Sequence, residues 1–335
     1  MSNIYIADDK RYEKMKYRRV GNSGLLFPEV SLGFWHNFGS IGNYENMRAI
    51  CQAAFDNGIT QFDLANNYGP VYGSAEENCG RILRQDFKPY RDELVITTKA
   101  GYDMWPGPYG NWGSKKYLVA SLDQSLRRLG LEYVDIFYHH RMDPETPLEE
   151  TMEALAQIVR SGEALYAGIS NYNEEYTRRA VKIMKELHCP LIVNQRGYSI
   201  FDRGIEKDGV KKCCKEVGLG IIAFSPLAQG LLTDKYLKGI PEDSRIARDP
   251  RFLKKDSLTK ERLSQIASLN TMALERGQSL AQMALSWILK DDEVCSVLIG
   301  ASRPEQIAEN VLITGNTGFS KEELTAIDEI TAIII

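Results

Sequence analysis

Short apolar segments alternate with longer amphipathic segments eight times along this chain, and this alternation restricts the fold more than any other feature. The short segments are rich in Val, Ile and Leu, as strands buried on both faces are. The predicted strands cover 29–33, 61–64, 94–99, 134–140, 165–170, 191–195, 220–225 and 294–300. Strands and helices in strict alternation are typical of βα units around a parallel sheet.

Helices are predicted between these strands at 46–57, 115–129, 148–161, 174–187, 205–217 and 304–313. Several of them run into a glycine, which readily adopts the left-handed conformation that ends a helix. These glycines are Gly58, Gly130, Gly162, Gly218 and Gly315. The stop signals support the division of the chain into repeated units.

Two architectures accommodate such units, an open doubly wound sheet and a closed (β/α)8 barrel. The open sheet usually carries a Gly-rich phosphate loop after its first strand, and the sequence has neither a G-x-G-x-x-G nor a Walker A pattern. The 335 residues suit one barrel of roughly 250 residues with additions. We therefore predict a single α/β domain over 1–335, a (β/α)8 TIM barrel. Its additions are an N-terminal hairpin at 15–26, a long loop at 227–259 after strand seven as a candidate lid, and a closing helix from Lys321.

Composition and charge exclude several classes of function. With 43% hydrophobic and 26% charged residues, the chain is neither disordered nor fibrous. A formal net charge of -4 gives no general electrostatic reason to bind nucleic acid or a membrane surface. No apolar run is long enough to span a bilayer, and the polar N-terminus lacks the apolar core of a secretory signal. We expect a cytoplasmic protein that binds neither nucleic acid nor membrane.

The cysteines show no metal-binding or redox pattern. They are scattered, with no C-x-x-C pair and no histidine partners at metal-ligand spacing. Their positions are Cys51, Cys79, Cys189, Cys213, Cys214 and Cys295. We expect buried or partly buried thiols in a reducing compartment and no metal site.

Proton-active side chains stand at the ends of strands two, three and four, where a barrel of this kind carries its chemistry. Asp63 ends strand two and Tyr68 follows in the next loop. Lys99 ends strand three, and one of the adjacent His139 and His140 ends strand four. Periodicity does not choose between the histidines, because neighbours on a strand point to opposite faces.

The chemistry of these residues fits one task. A tyrosine is a poor proton donor at neutral pH unless a cation favours its phenolate, and Lys99 is placed to provide that cation. Asp63 can hold Lys99 by an ion pair, while a histidine can hydrogen-bond the substrate oxygen. Such a set would protonate a carbonyl oxygen as a hydride reaches its carbon.

Over nearly its whole length the sequence resembles the aldo-keto reductase superfamily. The segments that carry the resemblance are YRRVGNSGL, SLGFWHNFG, FDLANNYGPVYGSAEENCG, ITTKAGYDMWPGPYG, LGLEYVDIFYHHR, YAGISNY, IAFSPLAQGLLTDKY, IPEDSR and SVLIGASRPEQIAEN. Within the superfamily it resembles the branch that contains the potassium-channel β subunits and, more closely, the L-glyceraldehyde 3-phosphate reductases. The segments ANNYGP, KAGYDMWPGPYG and SLAQMALSW are typical of these reductases.

The resemblance implies an oxidoreductase that uses NADPH to reduce small aldehydes such as glyceraldehyde 3-phosphate or methylglyoxal. It makes Tyr68 the general acid, tuned by Lys99, which Asp63 supports. It also selects His140 rather than His139 as the residue that orients the carbonyl.

The resemblance further implies that NADPH or NADP+ lies extended across the barrel mouth. Ser170, Asn171 and Gln195 match the positions that hold the nicotinamide carboxamide. Phe224 matches an aromatic position near the nicotinamide. The other implied cofactor contacts are Phe34, Trp35, Asp63, Ser225, Pro226, Leu227, Gly230, Lys235, Gly300, Ser302, Arg303, Gln306, Glu309 and Asn310.

The 2′-phosphate of the cofactor needs positive charge from another source than in the aldose-reductase branch of the superfamily. The Lys and Arg that clamp this phosphate in that branch are replaced here by Gly300 and Gln306. As in the channel-subunit branch, Lys235, Arg245 and Arg303 are then expected to supply the charge.

Substrate contacts are expected from the loops at 35–37 and 102–112 and from the residue after His140. The expected contacts are Trp35, His36, Tyr68, Trp105, His140 and Arg141. The segment 102–112, YDMWPGPYGNW, either walls a small pocket or packs on a neighbouring subunit. A homo-oligomer is expected, with a tetramer or an octamer as the alternatives.

Two other functions stay open at this point. A regulatory protein like the channel β subunits would hold NADPH tightly and turn over slowly, because product release would limit the rate. A barrel lyase would form a Schiff base between Lys99 and a carbonyl substrate, although the full cofactor pattern disfavours it.

Overall fold

The strands and helices of the chain follow the predicted alternation. The computed structural model describes residues 4–237, 239–242, 245–248 and 253–332, without the side chains of 245 and 248. The strands are β1 (Tyr17–Arg19), β2 (Leu26–Pro28), β3 (Val30–Gly33), β4 (Gln61–Asp63), β5 (Val95–Ala100), β6 (Val134–His139), β7 (Ala164–Ser170), β8 (Leu191–Gly197), β9 (Gly220–Phe224) and β10 (Val294–Ile299).

The α-helices are α1 (Tyr44–Asp56), α2 (Ser74–Ile82), α3 (Lys115–Leu129), α4 (Leu148–Ser161), α5 (Glu174–Glu186), α6 (Gly204–Lys207), α7 (Val210–Val217), α8 (Arg245–Arg248), α9 (Lys260–Glu275), α10 (Leu280–Ile288), α11 (Pro304–Val311) and α12 (Lys321–Ala332). A π-helical turn, Leu83–Phe87, continues α2. In the described ranges no helix has the length and apolar character that crossing a membrane requires.

Strands β3 to β10 close into a barrel in the order β10-β3-β4-β5-β6-β7-β8-β9. Every neighbouring pair in this ring is parallel. In β5, β6 and β10 every residue is buried, because one face of each strand meets the barrel interior and the other meets the helices. The prediction of a (β/α)8 barrel is confirmed, and so is the closing helix that begins at Lys321.

Local signals in the sequence set the ends of the surrounding helices. The side chains of Asn43, Ser114 and Asn173 each accept a hydrogen bond from a backbone N–H in the first turn of α1, α3 and α5. Such caps satisfy donors that the helix itself leaves unpaired. Gly130 and Gly162 end α3 and α4 in the left-handed conformation, with φ of 67° and 83°.

The β1–β2 hairpin closes the lower end of the barrel. Tyr17 pairs with Pro28, so the hairpin lies two residues further along the chain than predicted. Val20 and Phe27 are fully buried against apolar side chains of the barrel interior, among them Ile136 and Ile222. Water and ligands therefore reach the interior from the opposite end.

One predicted helix is wrong at its centre. The segment 205–217 divides into α6 and α7, because Gly209 takes a φ of 77° between them. The Asp208 carboxylate accepts a hydrogen bond from the N–H of Val210 at 3.1 Å and so begins a new helix. An aspartate followed by a glycine is a turn signal that outweighed the apolar periodicity.

The long segment after β9 has apolar anchors within its polar sequence. Leu231, Leu232, Tyr236, Ile246 and Leu253 are buried. The segment also forms short helical turns at Ala228–Gly230, Asp234–Tyr236 and Lys255–Ser257. In its described part the segment is thus pinned to the barrel at several points, and its role as a lid stays a prediction.

Candidate active site

A lysine and an aspartate form a buried ion pair at the carboxyl ends of β4 and β5. Lys99 Nζ lies 2.5 Å from Asp63 Oδ2, and both side chains have 0% exposure. The same Nζ donates to the carbonyl of Leu64 at 2.6 Å. Asp63 Oδ1 accepts hydrogen bonds from Thr97 Oγ1 at 2.8 Å and from Gln195 Nε2 at 3.0 Å. Both charges are therefore paired and hydrogen-bonded, as buried charges must be.

Tyr68 lies against this ion pair. Its hydroxyl oxygen is 3.4 Å from Lys99 Nζ, in the loop that follows β4. Burial raises the pKa of Tyr68 well above its usual value, and the Asp63 carboxylate raises it further. The sequence predicts that Lys99 favours the phenolate, but burial and Asp63 dominate the pKa of Tyr68, so Tyr68 keeps its proton at neutral pH. Once the proton has left, the adjacent ammonium stabilises the phenolate.

His140 completes a cluster of four proton-active side chains. Its ring meets the Tyr68 ring edge to face, with 5.9 Å between centroids. Burial lowers the pKa of His140 well below its usual range, and the positive charge of Lys99 lowers it further. The imidazole is therefore neutral at pH 7 and offers a hydrogen bond without a charge.

The neighbouring His139 points away from this cluster. Its Nδ1 shares a 2.6 Å hydrogen bond with the Tyr172 hydroxyl, and burial lowers its pKa to about 4. Of the two adjacent histidines, the structure thus brings His140 to Tyr68 and packs His139 elsewhere, which periodicity alone did not decide.

The residues matched to the carboxamide converge at the ends of β7 and β8. Ser170 Oγ donates to the carbonyl of Gln195 at 2.9 Å. Asn171 Nδ2 donates to the carbonyl of His140 at 3.0 Å. Asn171 adopts a left-handed φ of 60°, a conformation that asparagine tolerates better than most non-glycine residues. These contacts join the matched positions to the proton-active cluster in one network.

The segment after β9, which contains several of the implied cofactor contacts, has an unusual backbone. Ser225, Ala228 and Gln229 have φ of 52°, 46° and 61°, and Gly230 has a φ of 98°. A Cβ built on Gly230 would meet no atom within 4 Å. The backbone of Gly230 therefore borders open space, and a ligand can approach it closely.

Helix α11 opens with an exposed cation and no cap. Its N-cap residue, Arg303, makes no side-chain capping bond. The Arg303 side chain is 53% exposed and lies 3.8 Å from Glu305. A Cβ on Gly300 would again meet open space. An uncapped helix start beside an arginine is suited to bind a phosphate.

The remaining predicted contacts differ in where they lie. The ring of Phe34 is fully buried against Phe38, with 3.9 Å between centroids, so only its backbone is near the mouth. Trp35 is 36% exposed and lies against His36. Pro226 and Asn310 are buried, Leu227, Lys235 and Gln306 are partly buried, and Ser302 and Glu309 are exposed. The side chain of Arg245 lies outside the described residues.

Arg141 is built into the aromatic loop at 102–112. Its Nε donates to the carbonyl of Gly101 and its Nη2 to Asn111 Oδ1, both at 2.9 Å. Its Cζ lies 4.2 Å from the centre of the Tyr102 ring and 3.7 Å from that of Trp112. The guanidinium therefore holds the two ends of the loop together. Trp105, in the same loop, lies against Tyr117 of α3, with 5.1 Å between the ring centroids.

Sequence reasoning missed several residues that support the site. Thr97 precedes Lys99 by two positions and shares its face of β5, so strand alternation was a signal for its contact with Asp63. Asn66 Nδ2 donates to the Tyr117 hydroxyl at 3.0 Å, and this hydroxyl donates to the carbonyl of Tyr102 at 2.5 Å. No local sequence pattern predicts these two hydrogen bonds, which join the loop after β4, helix α3 and the loop at 102–112.

A closed barrel of parallel strands that gathers buried proton-active side chains at its carboxyl end is the architecture of a (β/α)8 barrel enzyme. A sequence model of the Aldo/keto reductase family matches residues 29–332. The chain belongs to this family, and it is an oxidoreductase.

Curated relatives cover almost the same length. The chain is 58% identical over 329 residues to the L-glyceraldehyde 3-phosphate reductase of Escherichia coli strain K12, which is 97% of this chain and 95% of the relative. It is 37% identical to a probable voltage-gated potassium channel subunit beta of Oryza sativa subsp. japonica and 36% identical to one of Arabidopsis thaliana. Each of these two matches covers 89% of this chain and 90% of the relative.

Proposed function

We propose that the protein is an NADPH-dependent aldehyde reductase for small aldehydes such as glyceraldehyde 3-phosphate or methylglyoxal, with Tyr68 as the general acid. The observation that carries the proposal is the 3.4 Å contact between the Tyr68 hydroxyl and the buried Lys99–Asp63 pair. The relative named as a reductase of L-glyceraldehyde 3-phosphate supports the substrate class.

The four side chains divide the proton chemistry between them. NADPH, when bound, supplies the hydride that reduces the carbonyl carbon. The neutral His140 hydrogen-bonds the carbonyl oxygen, and the Tyr68 O–H gives its proton to that oxygen as negative charge develops there. Lys99 Nζ stabilises the phenolate that is left, and Asp63 keeps Lys99 charged and in place.

Several features fit a dinucleotide across the barrel mouth. Gly230 and Gly300 border open space, and α11 begins beside the exposed side chain of Arg303. We assign the 2′-phosphate to Lys235, Arg245 and Arg303. Equal efficiency with NADH and NADPH would contradict this assignment.

The substrate pocket is assigned to the rim formed by Trp35, His36, Trp105 and Arg141, together with Tyr68 and His140. In this assignment Tyr102 and Trp105, on the loop at 102–112, limit the access of water to the reacting atoms, which strengthens the electrostatic contacts at Tyr68. A triose phosphate is small enough to place its aldehyde at Tyr68 and its anionic end at this rim.

Replacement of the Tyr68 hydroxyl tests the proposal. Tyr68→Phe is expected to reduce kcat by at least about 100-fold, because the proton donor is lost. NADPH affinity, measured by fluorescence titration, is expected to stay unchanged. Tyr72→Phe is the matched control, since Tyr72 lies in the same loop but is 49% exposed. Full activity of Tyr68→Phe would refute the assigned general acid.

A second candidate function has the support of the two relatives named as channel subunits. A regulatory protein of this kind would release NADP+ slowly, so mixing with aldehyde would give a burst of NADPH oxidation and then a slow steady state. Linear progress curves from the first turnover would exclude it. A lyase is disfavoured, because Lys99 Nζ is engaged by Asp63 and Leu64 and a Schiff base requires a free amine.

A further inference from the structure

The imidazole of His140 is not oriented by a hydrogen bond at its Nδ1 atom. Among the described residues, the buried His140 Nδ1 has no hydrogen-bond partner. A histidine that orients a substrate usually has its ring fixed by a bond at its second nitrogen. Here the orientation of His140 must come from packing.

The closest aromatic contact of the His140 ring is with Tyr102. The two ring centroids are 4.7 Å apart at an interplanar angle of 85°, whereas the Tyr68 centroid is 5.9 Å away. The backbone of Gly101 lies close to the start of the His140 side chain, since a Cβ built on Gly101 would be 2.9 Å from His140 Cβ. The imidazole thus lies between the rings of Tyr68 and Tyr102, each edge to face with it.

Tyr102 is itself held from two sides. Its carbonyl accepts a 2.5 Å hydrogen bond from the buried hydroxyl of Tyr117 on α3. Its ring is covered by the Arg141 guanidinium, with Cζ 4.2 Å from the ring centre. Arg141 is in turn tied to Gly101 and stacked on Trp112. The Tyr102 ring therefore has a defined place that does not depend on a substrate.

We propose that Tyr102 is a positioning residue for the reduction, whose ring fixes the orientation of His140 toward the carbonyl oxygen. The proposal rests on the proposed function, because it takes His140 as the group that meets the substrate carbonyl. The hydroxyl of Tyr102 has no part in it. The charged or titratable groups that act on the imidazole are Lys99 on β5, His139 on β6 and Arg141 after β6, with Tyr68 and Tyr102 against its ring.

Three variants separate the ring from the hydroxyl and from general damage to the loop. Tyr102→Ala removes the ring, Tyr102→Phe keeps it, and Tyr109→Ala is the matched control. Tyr109 belongs to the same loop but is 57% exposed and lies over Lys116. For each variant, kcat, KM and NADPH affinity are measured with glyceraldehyde 3-phosphate, and thermal unfolding is followed by circular dichroism.

The ionisation of His140 gives a readout besides activity. The chain has four histidines, so their ring nitrogens can be followed individually by 15N NMR, with His140→Asn to assign the signal. In the wild-type protein His140 is expected to stay neutral to well below pH 6.5, the ordinary pKa of a histidine. Loss of the Tyr102 ring admits water, which favours the charged form, so the pKa of His140 rises toward that value.

The expected result is a fall in kcat on the order of 100-fold for Tyr102→Ala, with a raised pKa of His140 and unchanged NADPH affinity. Tyr102→Phe and Tyr109→Ala are expected to stay near the wild type in kcat, in the pKa of His140 and in NADPH affinity. An equal loss in Tyr102→Phe would assign the effect to the hydroxyl and overturn the proposal. So would an unchanged kcat and pKa in Tyr102→Ala.

Two complications are separable from the proposal. If Tyr102→Ala fails to fold, Tyr117→Phe loosens the same ring from outside the site, and a His140 signal identical to the wild type in that folded variant would overturn the proposal. If wild-type protein reduces no aldehyde, the proposed function fails, whereas the NMR comparison still decides whether the Tyr102 ring positions His140.

Discussion

The Lys99–Asp63 ion pair is the residue-scale feature on which the site depends, and Asp63→Asn tests its energetics. This change leaves a buried ammonium without its counter-charge, which is expected to lower the free energy of unfolding by about 3–5 kcal/mol. Urea denaturation measures the change. The control is Glu175→Gln, which removes an exposed pair with Arg179 at 3.8 Å and is expected to cost less than about 1 kcal/mol. Equal stability of wild type and Asp63→Asn would show that Lys99 is neutral in the folded protein.

The pH dependence of kcat/KM follows from the environments of three side chains. Burial raises the pKa of Tyr68 and lowers that of His140, so neither group changes its protonation near neutral pH. Burial also lowers the pKa of Lys99, so its ammonium is lost at lower pH than that of an ordinary lysine. We expect a flat profile over roughly pH 6 to 8 and a fall on the alkaline side. An acid limb near pH 6.5, the ordinary pKa of a histidine, would contradict the neutral His140.

Asp63, Tyr68 and Lys99 could be predicted because each stands in or just after a buried strand whose end the apolar runs define. The fourth strand end offered two adjacent histidines, and only the resemblance to the family selected His140. The surroundings of these residues could not be predicted. Gln195 reaches Asp63 across the barrel, 132 residues apart in sequence, and such a contact exists only once eight strands have closed. The contact between Tyr102 and His140 also depends on how a Pro- and Gly-rich loop folds back, which no period in the sequence encodes.

At the scale of elements, the close approach of β6 and β7 makes Gly168 a sensitive position. A Cβ on Gly168 would lie 2.6 Å from ring atoms of Tyr138 and 2.9 Å from Val193 Cγ1. Gly168→Ala is therefore expected to overpack the barrel interior and to lower the free energy of unfolding by about 1–3 kcal/mol. A matched control is Gly24→Ala in the hairpin turn, where a Cβ would meet nothing within 4 Å. If both variants unfold at the same denaturant concentration, the barrel interior can accommodate the methyl group that Gly168→Ala adds, and the expected overpacking is wrong.

Element types were more predictable than element boundaries. The buried runs identified all eight barrel strands, because a strand covered on both faces is almost wholly apolar. The helix expected at 205–217 failed because Asp208 and Gly209 form a turn inside an apolar pattern that continues on both sides. The hairpin was predicted two residues too early in the chain, because Tyr17 and Pro28, which pair at its open end, carry no periodic signal.

At the scale of the whole molecule, the packing of the barrel predicts inert thiols. All six cysteines are buried and unpaired, and burial raises the pKa of Cys214 and Cys295 to about 12. Because the thiolate is the reactive form, native protein is expected to react slowly with Ellman's reagent. After unfolding in guanidinium chloride, six thiols are expected to react rapidly. Rapid reaction of Ellman's reagent with the adjacent Cys213 and Cys214 of the native protein would show that α7 opens in solution.

The β1–β2 hairpin, which fills the lower end of the barrel, has a consequence for how ligands exchange. Among the described residues, Val20 and Phe27 pack against Tyr138 and Ile136, so we expect ligands to enter and leave the proton-active cluster from the opposite end of the barrel. A cofactor and a substrate that share one entrance cannot exchange independently, because the ligand nearer the entrance blocks the ligand beneath it. We therefore expect cofactor and substrate to bind in a fixed order, with the more deeply bound of the two first.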